Sequence, residues 1–234
     1  PRPAAACVQL NRSLADADSV PLLFKICTES VAEFDTVNYV TAIHRLARMS
    51  PTSSAAAAVR EHPLCNMLVS RLTEELPSMK LVQLSSTSWS FARLAVAQDA
   101  SSQDAFSEAV LLRIQEFGPQ ECANLFWSLA KTRSSNSALL EALTTHSCSV
   151  IGDFTPQHLA NTAWAHATLA VQEGLLVDAL AAEALKNFAA CDQQEVSNIF
   201  WAFARLRKVE QSLIDAVAAS VGSHSFNPQG LANI

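Results

Sequence analysis

Apolar and polar positions recur along this chain with a long, fixed period. The four tryptophans, Trp89, Trp127, Trp164 and Trp201, are separated by 38, 37 and 37 residues. Around them, apolar residues fall on one side of a helical wheel and polar residues on the other. A period of this length is typical of stacked repeats whose neighbouring units bury one continuous core. The pattern predicts an all-α fold, a right-handed α-solenoid of tandem helix pairs with a repeat of about 37–38 residues.

Each unit is predicted to contain two helices. The first begins near a proline, such as Pro119 or Pro156, and ends about four residues after the tryptophan. The second follows a short polar break, and the candidates for it are residues 103–115, 137–149, 174–188 and 209–221. Between Ser50 and Pro63 we expect an inserted loop or helix extension, because this stretch is rich in Ser and Ala.

These elements divide the chain into a series of segments. In the first repeat we align Thr41 with the tryptophan and Asn38 with the recurrent asparagine. The chain begins at Pro1 and stops inside a repeat, so we expect it to be part of a longer protein. The predicted segments are N-terminal capping helices (1–33), a degenerate first repeat with an insertion (34–79), four repeats (80–118, 119–155, 156–192 and 193–225) and the start of a truncated repeat (226–234).

Polar side chains recur at fixed offsets from each tryptophan and predict aligned columns on the first helices. At 100° per residue, these offsets lie roughly 20° to 120° around the helix from the tryptophan. The columns consist of glutamines (Gln120, Gln157, Gln194 and, by extrapolation, Gln229), asparagines (Asn38, Asn124, Asn161, Asn198 and Asn233) and basic residues (Arg45, Arg93, Lys131 and Arg205).

Composition and charge narrow the function further. The formal net charge of −6 gives no general attraction to nucleic acid, so a surface that binds a polyanion has to be local. The acidic residues concentrate on the second helices. The six cysteines form no Cys-x-x-Cys pair and have no histidine at metal-ligand spacing, so we interpret them as small apolar residues in a reducing compartment. No apolar run is long enough to span a membrane.

The phrase Pro-Gln-His-Leu-Ala-Asn-Thr-Ala-Trp-Ala at residues 156–165 resembles the octotricopeptide repeat (OPR) family, which is related to RAP and FAST-kinase-like proteins. This resemblance implies an α-solenoid in a mitochondrion or chloroplast that binds RNA and acts in its stabilisation, processing or translation. The OPR core is matched in full by three Asn–Trp pairs and by half in Asn38 and in Trp89; the pairs are Asn124 with Trp127, Asn161 with Trp164, and Asn198 with Trp201.

Each column has a binding interpretation and a structural one. The basic column suits successive phosphates, but Lys and Arg near helix C-termini also interact with the helix dipole and the last carbonyls. For the asparagines we favour a ladder of hydrogen bonds between neighbouring helices. For the tryptophans we favour core packing over stacking on bases. The asparagine and tryptophan columns are therefore predicted to be the structural core of the repeat.

Base choice, if there is any, is expected from positions that vary between repeats. Six residues before the tryptophan stand Gln83, Glu121, His158 and Glu195, on the polar side. Two residues before it stand Thr87, Leu125, Thr162 and Ile199. We expect the first set to lie near bases.

Two functional hypotheses follow. In the first, an organellar RNA-binding protein holds RNA along the first helices. In the second, the chain is a structural subunit of a large organellar assembly, such as a ribosome or a bioenergetic complex, and has protein partners. The sequence shows no catalytic triad, phosphate loop or paired-carboxylate spacing, so we expect no enzymatic activity and no cofactor or metal.

Overall fold

The computed structural model describes residues 4–171 and 174–221, and no β-strand occurs in these ranges. The predicted all-α fold is therefore confirmed for this part of the chain. Its helices are α1 (Ala4–Asp16), α2 (Val20–Ser30), α3 (Thr36–Arg48), α4 (Ser53–Arg60), α5 (Pro63–Glu75), α6 (Leu81–Leu94), α7 (Ala100–Leu111), α8 (Pro119–Thr132), α9 (Ser137–Val150), α10 (Pro156–Leu169), α11 (Leu175–Asn187), α12 (Gln193–Arg205) and α13 (Gln211–Val221).

The helices fall into two compact units, one ending at Arg113 and one starting at Ile114. In unit 1, α3 packs between α1 and α6, while α2 and α5 pack on each other and on α3. The insertion predicted between Ser50 and Pro63 is a separate helix, α4, which packs on α5 and α6. Thr52 starts this helix by accepting a hydrogen bond from the Ala55 amide at 3.2 Å.

Unit 2 consists of two helical layers. In one layer α10 packs between α8 and α12, and in the other α11 packs between α9 and α13. We call α3, α6, α8, α10 and α12 the A helices and α5, α7, α9, α11 and α13 the B helices. The second helices predicted from sequence correspond to α7, α9, α11 and α13, with ends that differ by a few residues.

Every A helix begins in the same way. A buried side chain anchors the chain directly before the N-cap residue, where an apolar residue commonly fixes the angle at which the chain enters the helix. Pro119 and Pro156 then occupy the first turns of α8 and α10, where the missing N–H costs no hydrogen bond. The five anchors, none more than 7% exposed, are Phe34, Met79, Phe117, Phe154 and Cys191.

Four A helices are followed by a non-glycine residue with a left-handed backbone, which is the C-cap residue of α6, α8 and α10 and comes directly after the C-cap residue Leu206 in α12. These residues are Ala95, Arg133, Ala170 and Arg207, with φ between 52° and 58°. The amide that follows each of them donates back to a carbonyl in the last turn, as Val171 does to His166 at 3.0 Å. In contrast, α3 ends on Met49 at φ −75°, and the chain continues towards α4.

The truncated repeat predicted at 226–234, with Gln229 and Asn233, lies outside the described residues.

Candidate nucleic-acid interface

The buried anchors fix the register of every A helix. Trp89, Trp127, Trp164 and Trp201 each lie ten residues after an anchor and are the ninth residue of their helices. The same count from Phe34 leads to His44. The alignment of Thr41 with the tryptophan, and with it Asn38 and Arg45 in the columns, was therefore wrong by three residues. The sequence alignment of α3 relied on matching residue types, whereas the buried side chain of Phe34 marks where the helix starts.

The tryptophans lie at the edge of the buried face, and all four rings are half-buried. Within unit 2 the rings of Trp127 and Trp164 stack, with centroids 6.3 Å apart and planes 27° from parallel. In unit 1 His44 takes the equivalent place beside Trp89, with centroids 5.2 Å apart. This position therefore forms a partly exposed row of rings within each unit.

The recurrent asparagines do not form the predicted ladder. Among the described residues, the half-buried side-chain amides of Asn124, Asn161 and Asn198 form no hydrogen bond with another protein group. They lie roughly 60° around the helix from the tryptophan. Their donors and acceptors are therefore available to a ligand.

Asn38 plays a different part. Its side chain is fully buried; Oδ1 accepts from the Asp35 amide at 3.2 Å, and Nδ2 donates to the Cys7 carbonyl at 3.1 Å. It closes a capping box at the start of α3 and links α3 to α1.

Glutamines lie at the second position of each A helix in unit 2. Gln120, Gln157 and Gln194 are exposed. At 100° per residue they lie within about 60° of the asparagine and the tryptophan of the same helix. We call this group of nine side chains the tryptophan face of unit 2: Gln120, Asn124 and Trp127; Gln157, Asn161 and Trp164; Gln194, Asn198 and Trp201.

The positions expected to contact bases have other partners. His158 Nδ1 accepts from the Thr155 amide at 3.2 Å, and Glu195 Oε2 accepts from the Asp192 amide at 2.8 Å. Both close capping boxes, which the sequence interpretation missed although the Thr155–His158 and Asp192–Glu195 spacing signals them. Glu121 lies at the same position in α8, where the N-cap residue is Gly118.

Burial affects the charge of these groups. It lowers the pKa of His158, and the nearby charge of Glu121 opposes this effect. For Glu195 burial is the main influence and raises the pKa, which the hydrogen bond from Asp192 partly offsets.

The second set of variable positions is too deeply buried to contact a ligand. Two residues before each tryptophan, the side chain is fully buried in all four helices: Thr87, Leu125, Thr162 and Ile199 are each 0% exposed.

Three of the four predicted phosphate contacts are engaged with backbone carbonyls. Arg93 Nη2 donates to Pro51 at 3.0 Å, and Arg205 Nε donates to Ala167 at 3.0 Å. Arg45 donates to Ala17. The three carbonyls lie at the C-terminal end of a neighbouring helix or shortly after it: α1 for Arg45, α3 for Arg93 and α10 for Arg205. These arginines therefore link neighbouring helices.

Two other basic residues are more accessible. Lys131 is exposed and forms no hydrogen bond among the described residues. The corrected register puts Arg48, also exposed, at the same helical position as Lys131 and Arg205. Arg48 was missed because α3 was misaligned. The guanidinium of Arg205 lies 5.6 Å from the centroid of Trp201, which leaves its outer nitrogens beside the tryptophan face.

The two layers of unit 2 differ in charge. Its A helices contain two acids and two basic residues: Glu121, Glu195, Lys131 and Arg205. Exposed acids such as Glu141, Asp178 and Asp215 lie on the B helices. The tryptophan face is therefore rich in amides and rings, and it is close to electrically neutral.

The described residues contain no group of His, Cys, Asp and Glu side chains able to hold a metal ion. None of their helices combines the length and apolar character that crossing a bilayer requires.

The sequence matches a known protein family over most of its length. Residues 22–211 fit the family described as RNA-editing substrate-binding complex 6 protein, RESC6. The chain belongs to the RESC6 family. This RESC6-family chain is also similar to the RAP domain-containing protein, chloroplastic, of Oryza sativa subsp. japonica, at 26% identity over 161 residues. The match covers 62% of the chain and 25% of the rice protein, so the chain spans about a quarter of that relative's length.

Proposed function

We propose that this RESC6-family chain is an organellar helical-repeat protein that binds unpaired RNA along its A helices. The family is named for an RNA-editing substrate-binding complex, and the rice relative is named as chloroplastic. The observation that carries the proposal is the tryptophan face, where amides with no hydrogen-bond partner among the described residues lie beside half-exposed rings in three successive helices. Rings and amides suit unpaired bases, which offer both a π-face and a hydrogen-bonding edge.

We include the repeat type, the handedness of the solenoid and the role in RNA metabolism in the same proposal. The helix pairs are repeats of the OPR type, stacked as a right-handed α-solenoid within the segment boundaries given above. The protein acts in stabilisation, processing or translation of organellar RNA, and this segment has no catalytic role.

The phosphates require a positive partner that the neutral face does not provide. Within unit 2, Lys131 is exposed at the end of α8, and Arg205, at the equivalent end of α12, keeps part of its guanidinium accessible. We exclude Arg45 from the phosphate contacts, because it lies outside the basic column and donates a hydrogen bond to the Ala17 carbonyl.

Intrinsic fluorescence offers a direct test, because three of the four tryptophans of the chain, Trp127, Trp164 and Trp201, lie on the tryptophan face. Single-stranded RNA of 12 nucleotides should raise the anisotropy of a dye on the RNA and quench tryptophan emission at the same RNA concentration, since stacked bases contact indole rings. A duplex of the same length should bind at least about tenfold more weakly, because its bases are already stacked and paired. RNA binding without any change in tryptophan emission would place the site elsewhere, and no binding at low salt would refute the proposal.

Charge-neutralising variants test the phosphate contacts. Lys131→Gln should weaken RNA binding and reduce the slope of log K against log salt by about 0.7, the value for one lost phosphate contact to a single strand. Lys186→Gln on α11 is the matched control, since it removes one exposed positive charge from a B helix. Equal losses for Lys186→Gln and Lys131→Gln would show a general charge effect and contradict the assigned surface.

A second candidate function is a structural subunit of a large organellar assembly. It is favoured by large apolar side chains that the B-helix side exposes: Leu112, directly after α7, is 77% exposed, and Leu175 on α11 is 83% exposed. Such side chains, next to acids like Glu108 and Asp178, are suited to a protein partner. Co-sedimentation with a large particle that survives RNase treatment would favour this candidate over a free RNA-binding protein.

A further inference from the structure

The amides of the tryptophan face are not fixed in orientation by the protein. No hydrogen bond within the described part of the chain holds the side chains of Asn124, Asn161 and Asn198, and the same is true of Gln120, Gln157 and Gln194. A carboxamide carries one acceptor oxygen and one donor nitrogen. Because no hydrogen bond from residues 4–171 or 174–221 holds these groups, each can rotate to exchange the positions of its donor and acceptor.

Every nucleic-acid base presents a donor next to an acceptor on its Watson–Crick edge. Adenine and cytosine offer an amino group beside a ring nitrogen, while uracil and guanine offer a ring N–H beside a carbonyl. A fixed amide would match one of these orders and reject the other. A freely rotating amide matches both, so it contributes binding energy without selecting a base.

The remaining A-helix positions in unit 2 add little discrimination. Side chains two residues before each tryptophan are fully buried, and His158 and Glu195 are used in capping boxes, which leaves Glu121 as the variable side chain of these helices that closes no capping box. The tryptophans stack on any base, because every base has a π-face. All three A helices thus present the same three uncharged residue types in the same order.

We infer that the tryptophan face of unit 2 binds unpaired RNA of any base composition, through freely rotating amides and stacking rings. This inference rests on the proposed function and specifies its substrate class. RNA can then bind this face in any register, provided that it is long enough and unpaired. Any base selection by the whole protein comes from outside this face.

Competition between single-stranded 12-mers tests the inference. The probes are oligo(U), oligo(A), oligo(C) and a mixed sequence, each measured by anisotropy and tryptophan quenching. We expect dissociation constants that agree within about threefold, since stacking is tolerant of sequence. A preference of more than about tenfold for one base, the size of one discriminating bidentate contact, would overturn the inference while leaving the proposed function intact. Absence of quenching with every oligomer would overturn both.

An asparagine triple variant locates the effect. Asn124→Ala, Asn161→Ala and Asn198→Ala together should weaken binding of all four oligomers by the same factor, at least about threefold, and leave their ratios unchanged. Gln115→Ala, which removes an exposed amide outside the A helices, is the control and should not change binding. Circular dichroism and thermal melting check that the triple variant is folded. Unchanged affinity in a folded triple variant, or a loss confined to one oligomer, would contradict the role assigned to the amides.

Discussion

At the scale of single residues, one residue type serves opposite purposes in this chain. Asn38 is fully buried with two backbone partners, whereas Asn124 is half-buried with none among the described residues. Both are assigned to the asparagine column, so the sequence predicts the same hydrogen-bond ladder for them. Their difference depends on whether the side chain closes a capping box, which in turn depends on where each helix starts. A recurrent residue thus indicates a recurrent position only after the register is fixed by burial.

The cysteines show the same dependence on surroundings, and their reactivity can be predicted. Burial raises the pKa of the Cys27 thiol to about 12 and that of Cys65, Cys122 and Cys191 to about 11. Because the thiolate is the reactive form, these four should resist Ellman's reagent in the native protein at pH 8. The half-buried Cys7 and Cys148 should react first, although burial also raises the pKa of Cys148 and slows its reaction, and denaturant should expose all six.

A Cys7→Ser, Cys148→Ser variant serves as the control for this labelling. It should show no fast phase while retaining native helicity. Fast labelling of Cys122 in that variant would contradict its place in the core, where it is 0% exposed.

At the scale of helices, the sequence predicts the number and order of the elements well, and their register less well. The 37–38-residue period correctly locates α8, α10 and α12, because tryptophan and asparagine recur together in all three, and proline starts the first two. It misaligns α3 by three residues, because His44 stands there in place of the tryptophan and α4 follows before the next pair. The signal that corrects the alignment is present in the sequence: Phe34 and Asp35 precede Asn38 as an anchor and a capping box do. The hydrogen-bonding state of the amides could not be predicted, since it depends on distances between helices.

The left-handed helix ends lead to a prediction about stability. Ala170 has φ 58°, a conformation that costs a residue with a Cβ about 1 kcal/mol or more and costs glycine little. We expect Ala170→Gly to raise the free energy of unfolding by about 0.5–1 kcal/mol, measured by urea denaturation. The matched control is Ala182→Gly, on an exposed position within α11, which should lower it by about 1 kcal/mol. Destabilisation by both substitutions would show that the helix end is not held in the left-handed region.

At the scale of the whole chain, an excess of acid coexists with a neutral tryptophan face because the charges are sorted between layers. Residues 114–234 contain six Lys or Arg and eleven Asp or Glu, yet the A helices of unit 2 hold two of each sign. The net charge of a sequence therefore says little about any one face. The same segregation keeps the A-helix core uncharged at neutral pH, and this core includes a buried histidine.

That histidine, His166, makes stability depend on pH. It is 1% exposed and packs on Phe126, with ring centroids 4.8 Å apart. Its Nδ1 donates to the Thr162 carbonyl at 2.9 Å, so Nε2 carries no proton and is buried without a partner. Burial lowers the pKa of His166 despite this hydrogen bond. Below about pH 6.5 the unfolded chain therefore binds a proton that the folded chain does not, and stability falls as the pH falls towards the folded pKa.

We expect the melting temperature to fall between pH 7 and pH 5, and His166→Leu to reduce this fall. Leucine suits the site, since Leu129 occupies the equivalent position of α8. At pH 8 the imidazole is neutral in both states, so the melting temperatures there isolate the packing change from the titration. Carboxylates and other histidines titrate identically in both proteins, and the difference between the two pH profiles therefore belongs to His166. Parallel profiles from pH 8 to pH 5 would show that this side chain takes up its proton without unfolding, and would contradict its burial as a neutral group.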